Sequence, residues 1–364
     1  MPASMKIPLF LILIIAILSC PSISFSQGKS QSQQLETDFL LPKTLSICDE
    51  TMPLSDPWAW EMLDREFTIA VWDKAQVFMW LKRAGRYFPY LEQKLAQEKI
   101  PQDIKYLCIA ESSLLPNIKS DKGAVGPWQF LNETARRNGL RSDKKIDERR
   151  DFERSTEAAL NYLKKLKEMF GTWTLAMAAY NCGENRMEKE IREQQQSDYY
   201  SLKLPDETER YIYRIASIKI IMENPKAFGY SVPEEKIYKP LECDRTSVNI
   251  IKTIHLMDLA NGLGTSLKVI RDLNPKIIDD YLPTGTYNLN TPLGTGSKVQ
   301  EVLKSLSAKS SSLSDSLSSK PYIVQEGDTL STISRETGIS VAQLKKINNI
   351  EGSIIKPGQI LYLE

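Results

Sequence analysis

The sequence predicts a mainly helical domain followed by two small α+β modules, each with the order strand, helix, helix, strand. Apolar residues recur at helical spacing from Trp58 to Glu223. The last segment, 321–364, has a short apolar strand at each end and two capped helices between them. A related pattern precedes it in the chain, so we expect a second, divergent copy over 244–294.

The composition fits ordinary globular domains and excludes several classes of function. The chain has 364 residues, of which 41% are hydrophobic and 26% charged. Its net charge of +1 argues against a nucleic-acid binder, which needs a basic excess to contact phosphates. The chain has a single histidine, His255, which lies far from the motifs below. Ser–His or Cys–His catalysis and metal sites built from histidines are therefore not expected. We therefore expect no metal and no organic cofactor.

The N-terminus predicts a secretory signal peptide over residues 1–26. A lysine precedes an apolar run, residues 7–18, that is too short to span a bilayer. Two endings compete: cleavage before Gln27, or lipidation of Cys20 in a weak lipobox. Either ending predicts an exported protein.

The helical domain is expected over 58–235, after a polar and poorly ordered segment at 27–57. Within it, residues 72–84 suit one amphipathic helix and residues 87–99 suit a second. A further helix is predicted over 152–170, where a glycine ends it.

Four cysteines remain after the signal peptide: Cys48, Cys108, Cys182 and Cys243. An oxidising compartment permits disulfides, and four thiols allow three pairings. For Cys108 and Cys182, which lie within motifs on predicted helices, small buried thiols are at least as good an interpretation.

The candidate catalytic residue is Glu111. Pro101 and Asp103 suit the first turn of a helix that Pro116 ends. The stripe at helical spacing on this helix consists of Ile104, Cys108, Glu111 and Leu115. A carboxylate on an apolar stripe is desolvated, which raises its pKa and favours general-acid catalysis. The alternative is a buried structural glutamate that an arginine or backbone donors satisfy.

The residues after Glu111 suggest a sugar site. Gly123 and Gly126 bracket a turn, and Gln129 then lies between the aromatic residues Trp128 and Phe130. Aromatic rings offer a flat apolar face, and an amide can both donate to and accept from an N-acetyl group.

Two later blocks carry polar residues at helix ends. Tyr180 and Asn181 end a helix of small residues, where a helix cap is the plain alternative. Glu207 and Tyr211 lie four residues apart, which predicts one helical face. The alternative for this block is an acidic first turn on a surface helix.

Together these blocks resemble the lysozyme-like lytic transglycosylases of bacterial cell walls. The matching residues are Glu111-Ser112, Pro116, Ser120, Gly123-Ala124-Val125-Gly126, Trp128-Gln129, Ala178 to Asn181, Gly183, Glu207, Thr208 and Tyr211. The chain departs from the family pattern at Pro127, Cys182 and Ile212. The resemblance implies a mainly α, lysozyme-like catalytic domain.

The resemblance also implies a reaction that uses one carboxylate. Glu111 would protonate the oxygen between N-acetylmuramic acid and N-acetylglucosamine. It would then accept the proton of the muramoyl C6 hydroxyl, so that a 1,6-anhydro ring closes. By motif match, Ser120 and Gln129 would contact the substrate, Tyr180 and Asn181 would shape and polarise the cleft, and Glu207 and Tyr211 would orient Glu111. A hydrolase using water and a non-catalytic glycan-binding protein are the alternatives.

The segment 321–364 resembles the LysM module, which is associated with glycans that contain N-acetylglucosamine. The signals are Gly327-Asp328-Thr329-Leu330 and Asn348-Asn349. In the divergent copy, Leu256 corresponds to Leu330, but the Gly-Asp-Thr opening is missing. Whether this copy binds glycan stays open.

A Ser-rich flexible linker is expected over 296–320, between the two modules. The predicted partner is the glycan strand of peptidoglycan, and the predicted location is the periplasm. Lipidation of Cys20 would add association with the outer membrane.

Overall fold

Helices that pack around one another form the first domain, and a short hairpin precedes them. A computed structural model describes residues 41–317 and 321–363, so the predicted signal peptide and Cys20 lie outside the described residues. The hairpin pairs β1 (Ser46–Ile47) with β2 (Glu50–Thr51). The helices are α1 (Pro57–Trp72), α2 (Lys74–Gln97), α3 (Ile104–Ser112), α4 (Asn132–Arg137), α5 (Phe152–Phe170), α6 (Trp173–Cys182), α7 (Glu184–Gln194), α8 (Asp206–Glu209) and α9 (Tyr211–Glu223).

A single long helix replaces the two helices predicted between residues 72 and 99. Trp72 ends α1, and the Asp73 carboxylate caps α2 by accepting from the backbone N–H of Gln76 at 3.0 Å. Pro89 lies inside α2. The buried stripe continues past it to Leu91 and Leu95, so burial outweighs the hydrogen bond that proline removes.

The helices α5 and α6 follow each other in the chain and pack closely together. The bounds of α5 confirm the helix predicted over 152–170, and Gly171 ends it in the left-handed conformation, with φ +83°. Ala176, Ala178 and Ala179 of α6 are fully buried. Such small side chains let neighbouring helices approach closely.

The middle module (residues 243–303) has its own core. In it β3 (Cys243–Ile250) pairs with β6 (Gly285–Pro292), and β4 (Ile254–His255) pairs with β5 (Tyr281–Leu282), both antiparallel. The helices α10 (Leu256–Gly262) and α11 (Leu267–Leu273) lie between β4 and β5 in the chain. The core includes Val248, Leu259 and Leu289. That this segment is a divergent LysM copy over 244–294 stays a prediction.

A helix stands where the sequence predicted a flexible linker over 296–320. This helix, α12, spans Val299–Leu317. Val299 and Leu303 are buried in the core of the middle module, and Leu306 packs against it. These three apolar residues at helical spacing give α12 a face to bury, which the serine-rich composition conceals.

The last module has the predicted order of strand, helix, helix and strand. It consists of β7 (Tyr322–Ile323), α13 (Leu330–Thr337), α14 (Val341–Ile347) and β8 (Ile360–Leu361), with β7 antiparallel to β8. Thr329 and Ser340 begin the two helices with capping boxes. Its core is a separate cluster that includes Leu330, Ile333 and Leu361.

Candidate active site

Glu111 lies in the last turn of α3, which is anchored at its other end. The Asp103 carboxylate accepts from the backbone N–H of Cys48 at 2.7 Å and from Lys219 at 2.9 Å. The first domain thus ties the start of α3 to the hairpin and to α9. Ile104 and Cys108 are fully buried on the predicted stripe, and the Glu111 side chain is half-buried.

The helix ends earlier than predicted, at Ser112 rather than at Pro116. Ser113 and Leu114 follow it in the left-handed conformation, with φ 54° and 62°. Three side chains of α2 hold this turn. Gln76 and Trp80 donate to the Ser113 hydroxyl at 2.8 and 3.1 Å, and Arg83 donates to its carbonyl at 3.0 Å. These bonds offset the cost of the left-handed backbone and fix the end of the helix next to Glu111.

Burial raises the pKa of Glu111 to about 7. The Tyr211 hydroxyl donates a hydrogen bond to Glu111 Oε1, which lowers this pKa, and the charge of Glu207 raises it. Arg214 lowers it. Arg214 lies 3.4 Å from the buried carboxylate of Glu66, so its positive charge is shared with that group.

Tyr180 lies close enough to Glu111 for the charge of the glutamate to affect the pKa of the tyrosine. Burial raises the pKa of Tyr180, and the neighbouring Glu111 raises it further. The Tyr180 hydroxyl donates to the carbonyl of Trp128 at 2.7 Å, and its ring contacts Phe130 with centroids 5.9 Å apart. Tyr180 thereby joins α6 to the chain around Gln129.

The segment 123–130, called the substrate loop below after its predicted substrate contact Gln129, is held by a hydrogen bond within it and by one to Ser120. Gln129 has φ 47°, and its side-chain amide donates to the carbonyl of Gly126 at 2.8 Å. The Ser120 hydroxyl accepts from the backbone N–H of Ala124 at 3.0 Å. Both predicted substrate contacts therefore also determine the shape of this loop.

The predicted sugar platform around Gln129 is wrong. Trp128 and Phe130 are 0% and 2% exposed, so neither ring offers a face to a ligand. The Trp128 indole donates to the Thr156 hydroxyl of α5 at 2.9 Å. These rings are core residues that fasten the substrate loop to the domain.

Asn181 and Glu207, two of the predicted site residues, make the contacts described here with residues other than Glu111. Asn181 Oδ1 accepts from the hydroxyl of Thr208 at 2.8 Å, which links α6 to α8. Glu207 is exposed and lies 3.3 Å from Lys122. A single residue, Arg210, separates α8 from α9, and its backbone stays in the right-handed helical region with φ -89° and ψ -10°. Tyr211 contacts Glu111, whereas Glu207 acts on it only through charge.

The sequence analysis missed a buried ion pair that supports the substrate loop. The Arg149 guanidinium donates two hydrogen bonds to the Asp147 carboxylate, both 2.8 Å long, and both side chains are almost fully buried. Arg149 also donates to the carbonyls of Phe130 and Gly123 at 3.1 and 3.3 Å. Asp147 and Arg149 lie in a run of charged residues that is typical of an exposed loop. No sequence signal therefore distinguishes this pair from its neighbours.

The four cysteines within residues 41–317 and 321–363 are free thiols. Over the same residues, no group of three or more histidine, cysteine, aspartate or glutamate side chains is arranged to hold a metal ion. In the described part of the chain, every helix is too short or too polar to cross a membrane.

Two known protein families match parts of the chain. The family model of the transglycosylase SLT domain matches residues 89–203, and that of the LysM domain matches residues 322–363. The half-buried glutamate at the end of α3 and the substrate loop after it lie within the segment that matches the transglycosylase SLT domain. The last module lies within the segment that matches the LysM domain.

The chain is similar to membrane-bound lytic murein transglycosylase D of Escherichia coli K12. The two are 31% identical over 290 residues, which cover 77% of this chain and 63% of that protein. The N-acetylmuramoyl-L-alanine amidase XlyA of Bacillus subtilis is 50% identical over 44 residues, 12% of this chain and 15% of that protein. The 70 kDa soluble lytic transglycosylase of Escherichia coli matches with a TM-score of 0.34 at 18% identity, over 50% of this chain and 31% of that one.

Proposed function

We propose that this chain is a peptidoglycan lytic transglycosylase. It cleaves the β-1,4 bond between N-acetylmuramic acid and N-acetylglucosamine and leaves a 1,6-anhydro-N-acetylmuramic acid end. The observation that carries the proposal is the half-buried Glu111 carboxyl near the end of α3, which accepts a hydrogen bond from Tyr211. Burial raises its pKa to about 7, so a proton is available near neutral pH. The match to the SLT domain and the similarity to lytic murein transglycosylase D support it.

In the first step Glu111 donates its proton to the glycosidic oxygen. The bond from the muramoyl C1 to that oxygen breaks, and the leaving sugar departs with a hydroxyl group. The muramoyl ring takes on the oxocarbenium character that is typical of glycoside cleavage. Tyr211 then stabilises the Glu111 carboxylate, because its hydroxyl already donates to Oε1.

In the second step the Glu111 carboxylate accepts the proton of the muramoyl C6 hydroxyl. The freed O6 attacks C1, so the new bond closes the 1,6-anhydro ring and Glu111 regains its proton. This route needs one carboxylate, whereas hydrolysis by glycosidases usually needs two. Glu207, the other carboxylate that influences Glu111, is exposed and paired with Lys122, which supports the one-carboxylate route.

The remaining predicted residues are proposed to hold the sugar strand beside Glu111. Gln129 would bind an N-acetyl group through its amide oxygen and its second amide N–H, since the first N–H donates to the carbonyl of Gly126. Tyr180 would polarise the cleft next to Glu111. Ser120 and Asn181 would act through the shape of the substrate loop and of the α6–α8 contact.

The LysM domain is proposed to keep the enzyme on peptidoglycan strands. A weak tethered module raises the local concentration of the catalytic domain without a tight active site. Substrate of this kind implies export to the periplasm, and lipidation of Cys20 would attach the protein to the outer membrane.

Mass spectrometry of digested peptidoglycan sacculi tests this function. We expect muropeptides with anhydro ends, which are lighter by one water than the products of hydrolysis. Products with reducing ends would identify a hydrolase instead. Binding to sacculi without any cleavage would leave a glycan-binding protein.

The variant Glu111→Gln tests the catalytic acid. Glutamine keeps the size of the side chain but has no proton to donate, so we expect release of muropeptides to fall at least about 100-fold. Pull-down on sacculi should stay at the wild-type level, because the LysM domain is unchanged. Muropeptide release at the wild-type rate would show that another group is the acid.

A further inference from the structure

The middle module docks on the first domain through a strand-like contact. Ile146 is 1% exposed, belongs to the core of the middle module and pairs with Ile277 in an antiparallel bridge. The backbone N–H of Asp147 donates to the carbonyl of Lys276 at 2.8 Å. On the other side, the N–H of Ile278 donates to the carbonyl of Lys145 at 2.9 Å. One residue of the first domain thus completes the core of the module.

Charged side chains reinforce this contact. Lys276 is 7% exposed, and its ammonium group donates to the Asp151 carboxylate at 2.7 Å and to the carbonyl of Asn288 at 2.8 Å. Asp151 also caps α5 by accepting from the N–H of Arg154 at 3.2 Å. Replacing one partner of this pair would leave an uncompensated charge in the contact between the middle module and the first domain.

The residues that receive the module also support the substrate loop. Asp147, whose N–H binds the module, holds Arg149 through two hydrogen bonds, both 2.8 Å long. Arg149 donates to carbonyls at the two ends of the loop, those of Gly123 and Phe130. A Cβ atom at Gly126 would lie 1.8 Å from the carbonyl oxygen of Arg149, so the loop rests directly on this backbone.

We propose that the middle module contributes to catalysis by holding the substrate loop of the first domain in position. By docking on residues 145–151 it holds Asp147 and Arg149 in place, and Arg149 in turn holds the substrate loop that carries Gln129. Arg149 is a positioning residue, since it contacts the loop backbone and not Glu111. The proposal rests on the proposed function in one respect: it takes Gln129 as a residue that binds the glycan strand.

Arginine suits this role better than lysine does. Its planar guanidinium can bind a carboxylate with two donors and still direct another donor to carbonyl oxygens, whereas a lysine ammonium is a single point charge. The variant Arg149→Lys keeps the charge beside Asp147 but loses bonds to the loop. Arg154→Lys, at a half-exposed arginine of α5, is the matched control.

A second pair of variants tests the docking itself in the full chain. Ile277→Asp places a carboxylate in the shared core, where Ile277 is 4% exposed. Ile251→Asp makes the same change on the module at a residue that is 72% exposed, so it serves as the control.

Amide hydrogen exchange over residues 123–130 is the primary measurement. We expect exchange at least about tenfold faster than in the wild type for Ile277→Asp and for Arg149→Lys, and no change for either control. Exchange within α6 should stay slow, which shows that the domain remains folded. Wild-type exchange in the loop of either test variant would overturn the proposal.

Kinetics on soluble glycan fragments give the second measurement. A loosened loop should raise KM by about 10- to 100-fold in Arg149→Lys. The pH profile should keep its basic limb, because Arg149 does not contact Glu111. A shifted limb with an unchanged KM would contradict a positioning role.

The two proposals fail in different ways. If the wild type yields no anhydro muropeptides, the proposed function is wrong, and the exchange experiment still decides whether the module holds the loop. If anhydro products form and loop exchange is unchanged in the variants, the function stands and the coupling is refuted.

Discussion

At the scale of single residues, burial and one hydrogen bond act on the pKa of Glu111 in opposite directions. Burial favours the protonated form, and the Tyr211 hydroxyl favours the carboxylate. The resulting pKa of about 7 leaves both forms populated near neutral pH. A group that must first donate a proton and then accept one works best under that condition.

Tyr211→Phe removes the hydrogen bond that stabilises the charged form of Glu111. The pKa of Glu111 should rise above about 7, because burial is then opposed less. Since the protonated form starts the proposed reaction, the basic limb of the kcat/KM profile should move to higher pH. Tyr213→Phe, on the same helix, should leave that limb in place. A limb that does not move in Tyr211→Phe would exclude Glu111 as the titrating acid.

Glu111 should also make stability depend on pH. Its pKa is about 7 in the folded chain and 4.5 in the reference state, so the folded state binds the proton more tightly. The contribution of Glu111 to the free energy of unfolding is therefore complete below pH 4.5 and decreases as the pH rises from there through about 7. In Glu111→Gln this loss is absent, so the variant should gain on the order of 2 kcal/mol relative to wild type between about pH 5 and about pH 8.

Urea unfolding at the two pH values measures this difference. Glu188→Gln, at an exposed glutamate of α7, is the control and should follow the wild type. If the free energies of unfolding of wild type and Glu111→Gln change in parallel with pH, the carboxyl of Glu111 is not held protonated by burial.

At the scale of elements, the sequence predicts helices well where a single apolar stripe runs between clear end signals. The helix α5 has such a stripe, an aspartate cap and a terminal glycine, and its predicted bounds are confirmed. The two predicted helices around Pro89 are one, because tertiary burial of Leu91 and Leu95 overrides the local signal of proline. The α12 helix was missed because a few apolar contacts decide its conformation.

The candidate site likewise contains residues that the sequence predicts and residues that it does not. Glu111 and Tyr211 carry family motifs and meet in the structure, although they lie 100 residues apart in the chain. Trp128 was assigned to the wrong role, since the sequence does not show which face of the loop is buried. Arg149 could not be predicted at all, because its role depends on two carbonyl groups brought to it by the fold.

Glu50 is expected to stabilise α6, the helix that ends in Tyr180 and Asn181. Its carboxylate accepts from the backbone N–H groups of Trp173 and Thr174, at 2.5 and 2.9 Å. Glu50→Ala removes these acceptors and the favourable charge at the helix N-terminus. We expect a loss of about 1–2 kcal/mol in the free energy of unfolding.

Urea unfolding of Glu50→Ala and of the control Glu61→Ala measures this effect. Glu61 is exposed on α1, so its replacement should change stability by less than about 0.5 kcal/mol. Equal stability of the two variants would show that the carboxylate of Glu50 adds nothing to the α6 terminus.

At the scale of the whole molecule, the two C-terminal modules are attached in different ways. The middle module shares its core with Ile146 of the first domain. The last module has a separate core, and a hydrogen bond of 2.8 Å joins its Ser334 to Tyr281 of the middle module. This difference predicts different effects of the two modules on catalysis.

Removal of residues 321–364 is expected to separate binding from catalysis. The core of the last module lies within this segment, so the rest of the chain keeps its own cores. Turnover of soluble glycan fragments should stay at the wild-type rate. Pull-down on sacculi, and cleavage of sacculi at low enzyme concentration, should fall by about 10- to 100-fold because the tether is lost. At saturating enzyme, the truncated chain and the wild type should cleave sacculi at the same rate. If truncation instead lowered turnover of soluble fragments as much as cleavage of sacculi, the last module would contribute to catalysis, as is proposed for the middle module.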